Sequence, residues 1–302
     1  MNVKPVLKTC VTWLSLLLIG IVLLGLTGQV FAPGNSAAVI RFPAGLLLVM
    51  LIPLLLWGRA TYLATLACSA ALAALVPLGL GYFKPNPPCE GPCLTLYQKN
   101  LMSKSWPREP LAEELVASRA EIVTLQEVSD HNRKFMPQLF EAYSFSITCP
   151  FRPHQEVALL TSLPVVENTE FCLDGAGMAA VQVVLANQTP LWVVSIHLEW
   201  PFPYDQFKQA SLVEDKLQSM QGPILIGGDF NMVTWGGSVI RLAKAARAEV
   251  LGPYRNTYLS GRPYLPLPID NVLVPEGAEG HLERRPRLAS DHMGLLARIK
   301  LP

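Results

Sequence analysis

The chain has 302 residues, 51% of them hydrophobic and only 16% charged, with 24 basic and 23 acidic side chains for a formal net charge of +1. That is too apolar for a wholly soluble protein, too well endowed with apolar residues for disorder, and too evenly balanced for a strongly basic nucleic-acid binder. The charges are unevenly placed: residues 1–82 hold four basic residues (Lys4, Lys8, Arg41, Arg59) and no acid, which leaves 20 basic against 23 acidic residues, a net −3, for the remainder.

In chain order, the first elements are three stretches free of formal charge, Thr9–Ile40, Phe42–Gly58 and Ala60–Phe83. A helix needs about 20 apolar residues to cross a bilayer, so residues 1–83 read as a membrane region with spans near 12–31, 40–57 and 60–82. The third is rich in alanine, which suits close helix packing. A cleavable leader is the alternative for the first stretch, but the run is long and two more follow it. A buried soluble hairpin is the alternative for the other two, against which stands the absence of acids. By the positive-inside rule Lys4, Lys8 and Arg59 lie on the cytoplasmic side, with Arg41 opposite; three spans then place everything after Phe83 outside the cytoplasm, in the periplasm of a Gram-negative cell. Cysteine usage fits that compartment. Cys10 and Cys68 lie in spans, leaving an even number outside them, Cys89, Cys93, Cys149 and Cys172, for two disulfides. Cys89 and Cys93 flank a Glu-Gly-Pro turn and suit a local bond, which leaves Cys149 with Cys172 by elimination. A metal site at Cys89-x3-Cys93 lacks a second Cys or His pair nearby.

Residues 84–93 contain four prolines and read as a stiff spacer. From Leu94 to the end, short apolar runs alternate with polar turns. Leu94–Tyr97, Ile122–Gln126, Val157–Thr161, Val181–Leu185, Leu191–Ile196, Ile224–Gly227, Ile269–Val274 and Leu295–Ile299 read as strands. Helices are expected from Pro110, over Gln206–Ser219 and over Val239–Glu249. This is an α/β domain spanning residues 94–302.

The chemically interesting residues share a placement. Glu127, His197, Asp229 with Asn231, Asp270, and Asp291 with His292 each stand at or just beyond the end of an apolar run. Strand ends can gather such groups on one rim, where clustered carboxylates repel unless a cation joins them. Hard oxygen donors with two imidazoles favour Mg²⁺ or Mn²⁺, and that set suits hydrolysis of a phosphate ester.

Tyr97-Gln-Lys-Asn100-Leu, Leu125-Gln-Glu127-Val, Ser195-Ile-His197-Leu-Glu, Gly228-Asp229-Phe-Asn231, Ile269-Asp270-Asn-Val and Ser290-Asp291-His292 occur in the order that resembles the endonuclease/exonuclease/phosphatase (DNase I-like) superfamily. The resemblance implies a four-layer αββα sandwich behind about three transmembrane helices. It also implies roles: Glu127 as the principal metal ligand with Asn100 beside it, Asp291 as a second metal-side carboxylate, His197 as an acid or phosphate contact, Asp229 as the group that orients or deprotonates water, Asn231 as a phosphoryl contact, and Asp270 as the partner of His292. Whether His292 or Asp229 is the base stays open. Leu163 stands where a basic residue is common in the family. The layout of three spans and then this domain is similar to membrane phosphohydrolases of the teicoplanin-resistance type, which implies a lipid-linked phosphate as substrate. An extracytoplasmic nuclease is the alternative, against which the mildly acidic domain speaks; a catalytically silent envelope protein is another.

His131, His154 and His281 read as surface loop residues. Arg284, Arg285 and Arg287 read as a solvated loop or a substrate clamp, and Trp200, Phe202, Tyr204 and Trp235 as packing or lip residues that could touch lipid.

Overall fold

The computed structural model describes residues 3–104, 109–259 and 266–302. Among them, three helices are long and apolar enough to cross a membrane: α1 (Val3–Leu26), α2 (Ala32–Trp57) and α3 (Thr61–Tyr82). α2 begins eight residues ahead of the expected span, because Pro33 suits a first helical turn and Arg41 is a buried residue within the helix instead of a boundary. The three helices pack through small side chains. Ala64, Ala67, Ala71 and Ala74 recur at helical spacing on the buried face of α3, and a Cβ on Gly45 would meet Ala74 at 3.0 Å.

The remaining elements are β1 (Leu94–Asn100), α4 (Glu109–Ser118), β2 (Ile122–Val128), α5 (Met136–Ala142), β3 (Phe145–Arg152), β4 (Gln155–Thr161), β5 (Phe171–Leu173), β6 (Met178–Val184), β7 (Pro190–His197), α6 (Gln206–Ser219), β8 (Ile224–Asp229), α7 (Gly237–Ala245), β9 (Ala248–Val250), β10 (Asp270–Pro275), β11 (Glu279–Arg285) and β12 (Gly294–Lys300). The strands form two six-stranded sheets among the described residues, ordered β11-β12-β1-β2-β4-β3 and β5-β6-β7-β8-β10-β9.

Period-two alternation sends side chains to opposite faces and so builds the layers. Leu96, Ile122 and Leu159 of the first sheet meet Val181, Val193 and Leu225 of the second in the central core. Val123 and Leu125 point the other way, onto Leu111 and Leu115 of α4. Val194, Ile196 and Ile226 point outward from the second sheet onto Val213 of α6 and Leu242 of α7. The result is the expected αββα sandwich. Disulfides join Cys89 to Cys93 and Cys149 to Cys172, the second bridging edge strands of the two sheets.

One expected helix is shorter than the sequence suggests. α7 stops at Ala245, Arg247 turns through the left-handed region (φ 50°), and Ala248–Val250 then pairs with β10. The proline-rich segment is no free spacer. Lys84 Nζ donates to Glu249 and to the Val250 carbonyl, and Asn86 exchanges hydrogen bonds with the Leu282 backbone.

α6, α7 and the loops beside them rest on the helical bundle through polar contacts. Asn35 donates to Gln206 (2.7 Å) and Ser238 (2.8 Å), the Trp235 indole donates to the Ala38 carbonyl (2.8 Å), and the Tyr254 amide donates to the Gly81 carbonyl (3.0 Å).

Candidate active site

β1, β2, β7 and β8 run towards one rim, and β10 and β12, antiparallel to their neighbours, start there. Register does much of the assembly. In the second sheet His197 is paired with Asp229, and Asp229 with Asp270, so three adjacent strands put their site residues in one row. The two sheets come close behind that row, where Gly227 faces Thr124 and Leu96 and leaves no room for a Cβ.

Asn100, at the end of β1, ties the two sheets together. Its Nδ2 donates to Glu127 Oε1 (3.2 Å) and to Asp229 Oδ2 (2.8 Å), while its Oδ1 accepts the Met102 amide (2.8 Å). Its nitrogen, not its oxygen, therefore faces the carboxylates, and in this arrangement it orients them. Glu127 itself sits at an irregularity in the β2–β4 pairing with φ 56°, a conformation uncommon for any residue but glycine. The Asn132 amide holds that turn by donating to the Glu127 carbonyl, and the Ser103 amide donates to Glu127 Oε2 (both 2.8 Å).

His292 is held at one nitrogen and by one aromatic neighbour. Its Nδ1 donates to Asp270 Oδ2 (2.8 Å), Tyr258 packs against it with ring centroids 4.9 Å apart, and its Nε2 faces Asp229 Oδ2 (3.8 Å) and Asp291 Oδ1 (3.9 Å). Ser290 Oγ donates to the Asn100 carbonyl and accepts the His292 amide. On the far side Asn231 Nδ2 donates to the Leu198 carbonyl (2.7 Å) and to His197 Nε2 (3.2 Å), and His197 Nε2 lies 3.6 Å from Asp229 Oδ2. With Nε2 accepting, the imidazole proton is on Nδ1, which is buried without a partner.

Burial sets the electrostatics. It pushes the Asp229 carboxyl up to about 7 against the pull of His292, and it pulls His197 down to about 4 against the pull of Glu127, so this imidazole is neutral. Burial also works to lower His292, but the Asp270 and Asp229 carboxylates outweigh it and raise the ring to about 9. Asp270 and Glu127 are both held below the ordinary carboxylate value despite burial, Asp270 by His292 and Glu127 by the hydrogen bonds from the Ser103 amide and Asn100 together with the charged His292.

All eight sequence-predicted residues thus stand on one rim or in the loops next to it. Among the described residues Asp229, Asp270 and His292 form a group whose ligand atoms lie within 4.8 Å of one another. His292 and Asp270 are already engaged with each other through the Nδ1–Oδ2 hydrogen bond. Glu127 Oε1 and Asp229 Oδ2 share the Asn100 Nδ2 donor, so two carboxylates of this rim face one place, and oxygen donors of that kind could hold a divalent cation.

Several contributors were not legible beforehand. Lys99, fully buried, donates to the carbonyls of Arg287 (2.7 Å) and His292 (2.6 Å) and so fixes the loop that carries Asp291. Gln98 Nε2 bridges Gln126 and Asp270 Oδ1 (2.8 and 2.9 Å), and Gln126 reaches Ser195. Gln98 and Lys99 lie beyond the Leu94–Tyr97 run that reads as a strand, so no pattern in the sequence pointed to these roles. The arginine run behaves differently from both readings of it. Arg284 and Arg285 are on β11, and Arg285 pairs with Glu114 and Glu283. His281 is also on that strand, with Nδ1 3.1 Å from the Asn86 carbonyl. Trp235 is a packing residue at the junction with α2.

A family model described as Endonuclease/Exonuclease/phosphatase family matches residues 100–292. No curated protein matches the chain by sequence. Similar solved structures include an endonuclease/exonuclease/phosphatase from Beutenbergia cavernae (18% identity, 69% of this chain and 72% of that one, TM-score 0.54). D. rerio TDP2 complexed with a single-strand DNA product is similar at 14% identity, over 70% of this chain and all of that one (100%), with TM-score 0.56. Sphingomyelinase C from Streptomyces griseocarneus matches at 16% identity, over 69% of this chain and 99% of that one, with TM-score 0.50. At these identities the likeness is one of fold.

Proposed function

The chain belongs to the endonuclease/exonuclease/phosphatase family, and from that premise we propose that it is a membrane-anchored, divalent-metal-dependent phosphohydrolase that cleaves a lipid-linked phosphate ester or diester outside the cytoplasm. Family membership supports the reaction class. The observation that carries the choice of substrate is the loop that links the site to the apolar helices. The loop that follows His197 accepts a hydrogen bond from Ser36 of α2 at the Phe202 carbonyl (2.9 Å), so it lies against the domain-side end of the apolar helices. That loop exposes Phe202 (53%) and Tyr204 (61%), while its Trp200 packs on Tyr258, which in turn packs on His292. Exposed aromatic rings at the end of membrane helices suit the interface between headgroups and hydrocarbon, and here they border the site.

Glu127 and Asp291 would hold the metal ion, which when bound would neutralise charge on a phosphoryl oxygen and make nearby water more acidic. His292, aligned by Asp270, offers a proton at Nε2 to the phosphoryl group or the leaving oxygen. Asp229 Oδ2 is the acceptor for a proton from attacking water, with Asn100 holding that oxygen in place. An incoming phosphoryl oxygen competes with His197 Nε2 for the Asn231 N–H, the longer of the two hydrogen bonds that amide donates.

The test uses the full chain in detergent with Mg²⁺, offered a polyprenyl pyrophosphate, a sphingomyelin-type lipid and supercoiled plasmid. Turnover of a lipid with the plasmid left intact is the expected result. Efficient nicking of the plasmid with both lipids untouched would contradict the lipid assignment and favour the nuclease alternative.

A further inference from the structure

A second place in the molecule has the makings of a phosphate site. Between the domain-side ends of the helices and α7 lies a cavity of about 600 Å³ that none of the candidate active-site residues lines. Arg41 projects into it from α2. It is only 6% exposed, its Nε has no hydrogen-bond partner, and among the described residues no carboxylate forms an ion pair with it. Glu276, the one acid on the cavity wall, is exposed and is not its partner. A buried guanidinium without an anion is costly, so the cavity has a polar demand that the protein itself does not meet.

The rest of the wall says what meets it. Lys244 adds a second cation at the rim, and Trp235, Ile240 and Pro77 supply apolar surface. The position along α2 is also informative. The uncharged remainder of that helix, Phe42–Trp57, spans roughly 24 Å at about 1.5 Å per residue, somewhat less than the ~30 Å of hydrocarbon in a bilayer. With Trp57 at the far hydrocarbon boundary, Arg41 lies roughly 6 Å inside the near one, a depth from which a long guanidinium side chain reaches the lipid phosphates. We propose that this cavity binds the headgroup phosphate of an anionic membrane phospholipid, with Arg41 as the principal contact and Lys244 at the entrance. The lipid would act as a structural ligand that seats the domain on its anchor, since the same walls carry the Trp235–Ala38 hydrogen bond.

The experiment follows the apparent Tm of the full chain in a neutral maltoside as phosphatidylglycerol or inorganic phosphate is added. The expected result is a saturable rise in Tm with phosphatidylglycerol and none with inorganic phosphate at the same concentration. Arg41→Gln shifts half-saturation upward by roughly tenfold or more, the weight of a charge-assisted hydrogen bond. Ala243→Phe, which fills the cavity from the α7 side and leaves the guanidinium in place, is measured beside it and decides the matter if Arg41→Gln does not fold. Wild-type half-saturation in Ala243→Phe and in any folded Arg41→Gln overturns the proposal, and so does equal protection by inorganic phosphate. Because the readout is binding, the outcome is independent of whether the active site turns over a lipid.

Discussion

His292 is positioned by a chain of buried polar side chains that crosses the sandwich: Ser195 to Gln126, Gln126 to Gln98, Gln98 to Asp270, and Asp270 to the imidazole. Each link is internal, so each removal leaves a partner unpaired. Asp270→Ala and His292→Ala should each lower kcat by roughly 10²–10⁴-fold, and the double variant should lose little more than either, because the two side chains act as one unit. Steady-state kinetics on the three variants checks this, and multiplicative losses would break the pairing. Gln98→Ala leaves Asp270 Oδ1 and the Gln126 amide without a donor and should destabilise the protein by about 1–3 kcal/mol. Thermal unfolding of the full chain in detergent measures it. At this scale the sequence was informative about the acids and imidazoles, which sit where strands end. It was silent about Gln98, Lys99 and the φ 56° of Glu127, since nothing in a strand's hydrophobic pattern distinguishes an inward glutamine or a left-handed glutamate from an ordinary one.

Strand register is what turns scattered residues into a site, and it depends on close approach between the sheets. Gly227→Val puts a side chain where Thr124 and Leu96 already lie, so it should cost about 1–3 kcal/mol or more and pull Asp229 out of line, lowering both Tm and kcat. The Cys149–Cys172 bridge fastens the sheet edges, and its replacement by two serines should cost roughly 2–4 kcal/mol with little effect on kcat, because neither cysteine contributes an atom to the site. Elements rich in aliphatic alternation, such as β2, β7 and β8, were legible in advance. β3 and β11 were not. β3 is interrupted by Pro150, and β11 is an edge strand that carries Glu279, Glu283, Arg284 and Arg285, the composition of a loop.

The whole molecule joins an apolar helical bundle to a sandwich through the loop after His197 and the starts of α6 and α7. Lys8 lies next to Gly58 and one residue from Arg59, so these cations gather at the end of the bundle away from the Asn35–Ser238 contact. Under the positive-inside rule that end faces the cytoplasm. A phosphatase reporter fused after Pro302 should then be active only when exported; activity restricted to the cytoplasm would reverse the proposed orientation. The more central claim is that Glu127, Asp229, Asp270 and His292 together perform metal-dependent phosphoester hydrolysis. The direct measurement is Mg²⁺-dependent release of nitrophenol from p-nitrophenyl phosphate and its bis ester by the full chain, compared with Glu127→Ala and Asp229→Ala. Wild-type turnover should be abolished by chelator and restored by Mg²⁺ or Mn²⁺, with both variants inactive though folded. Release that is the same in all three proteins, or unaffected by chelator, would contradict it.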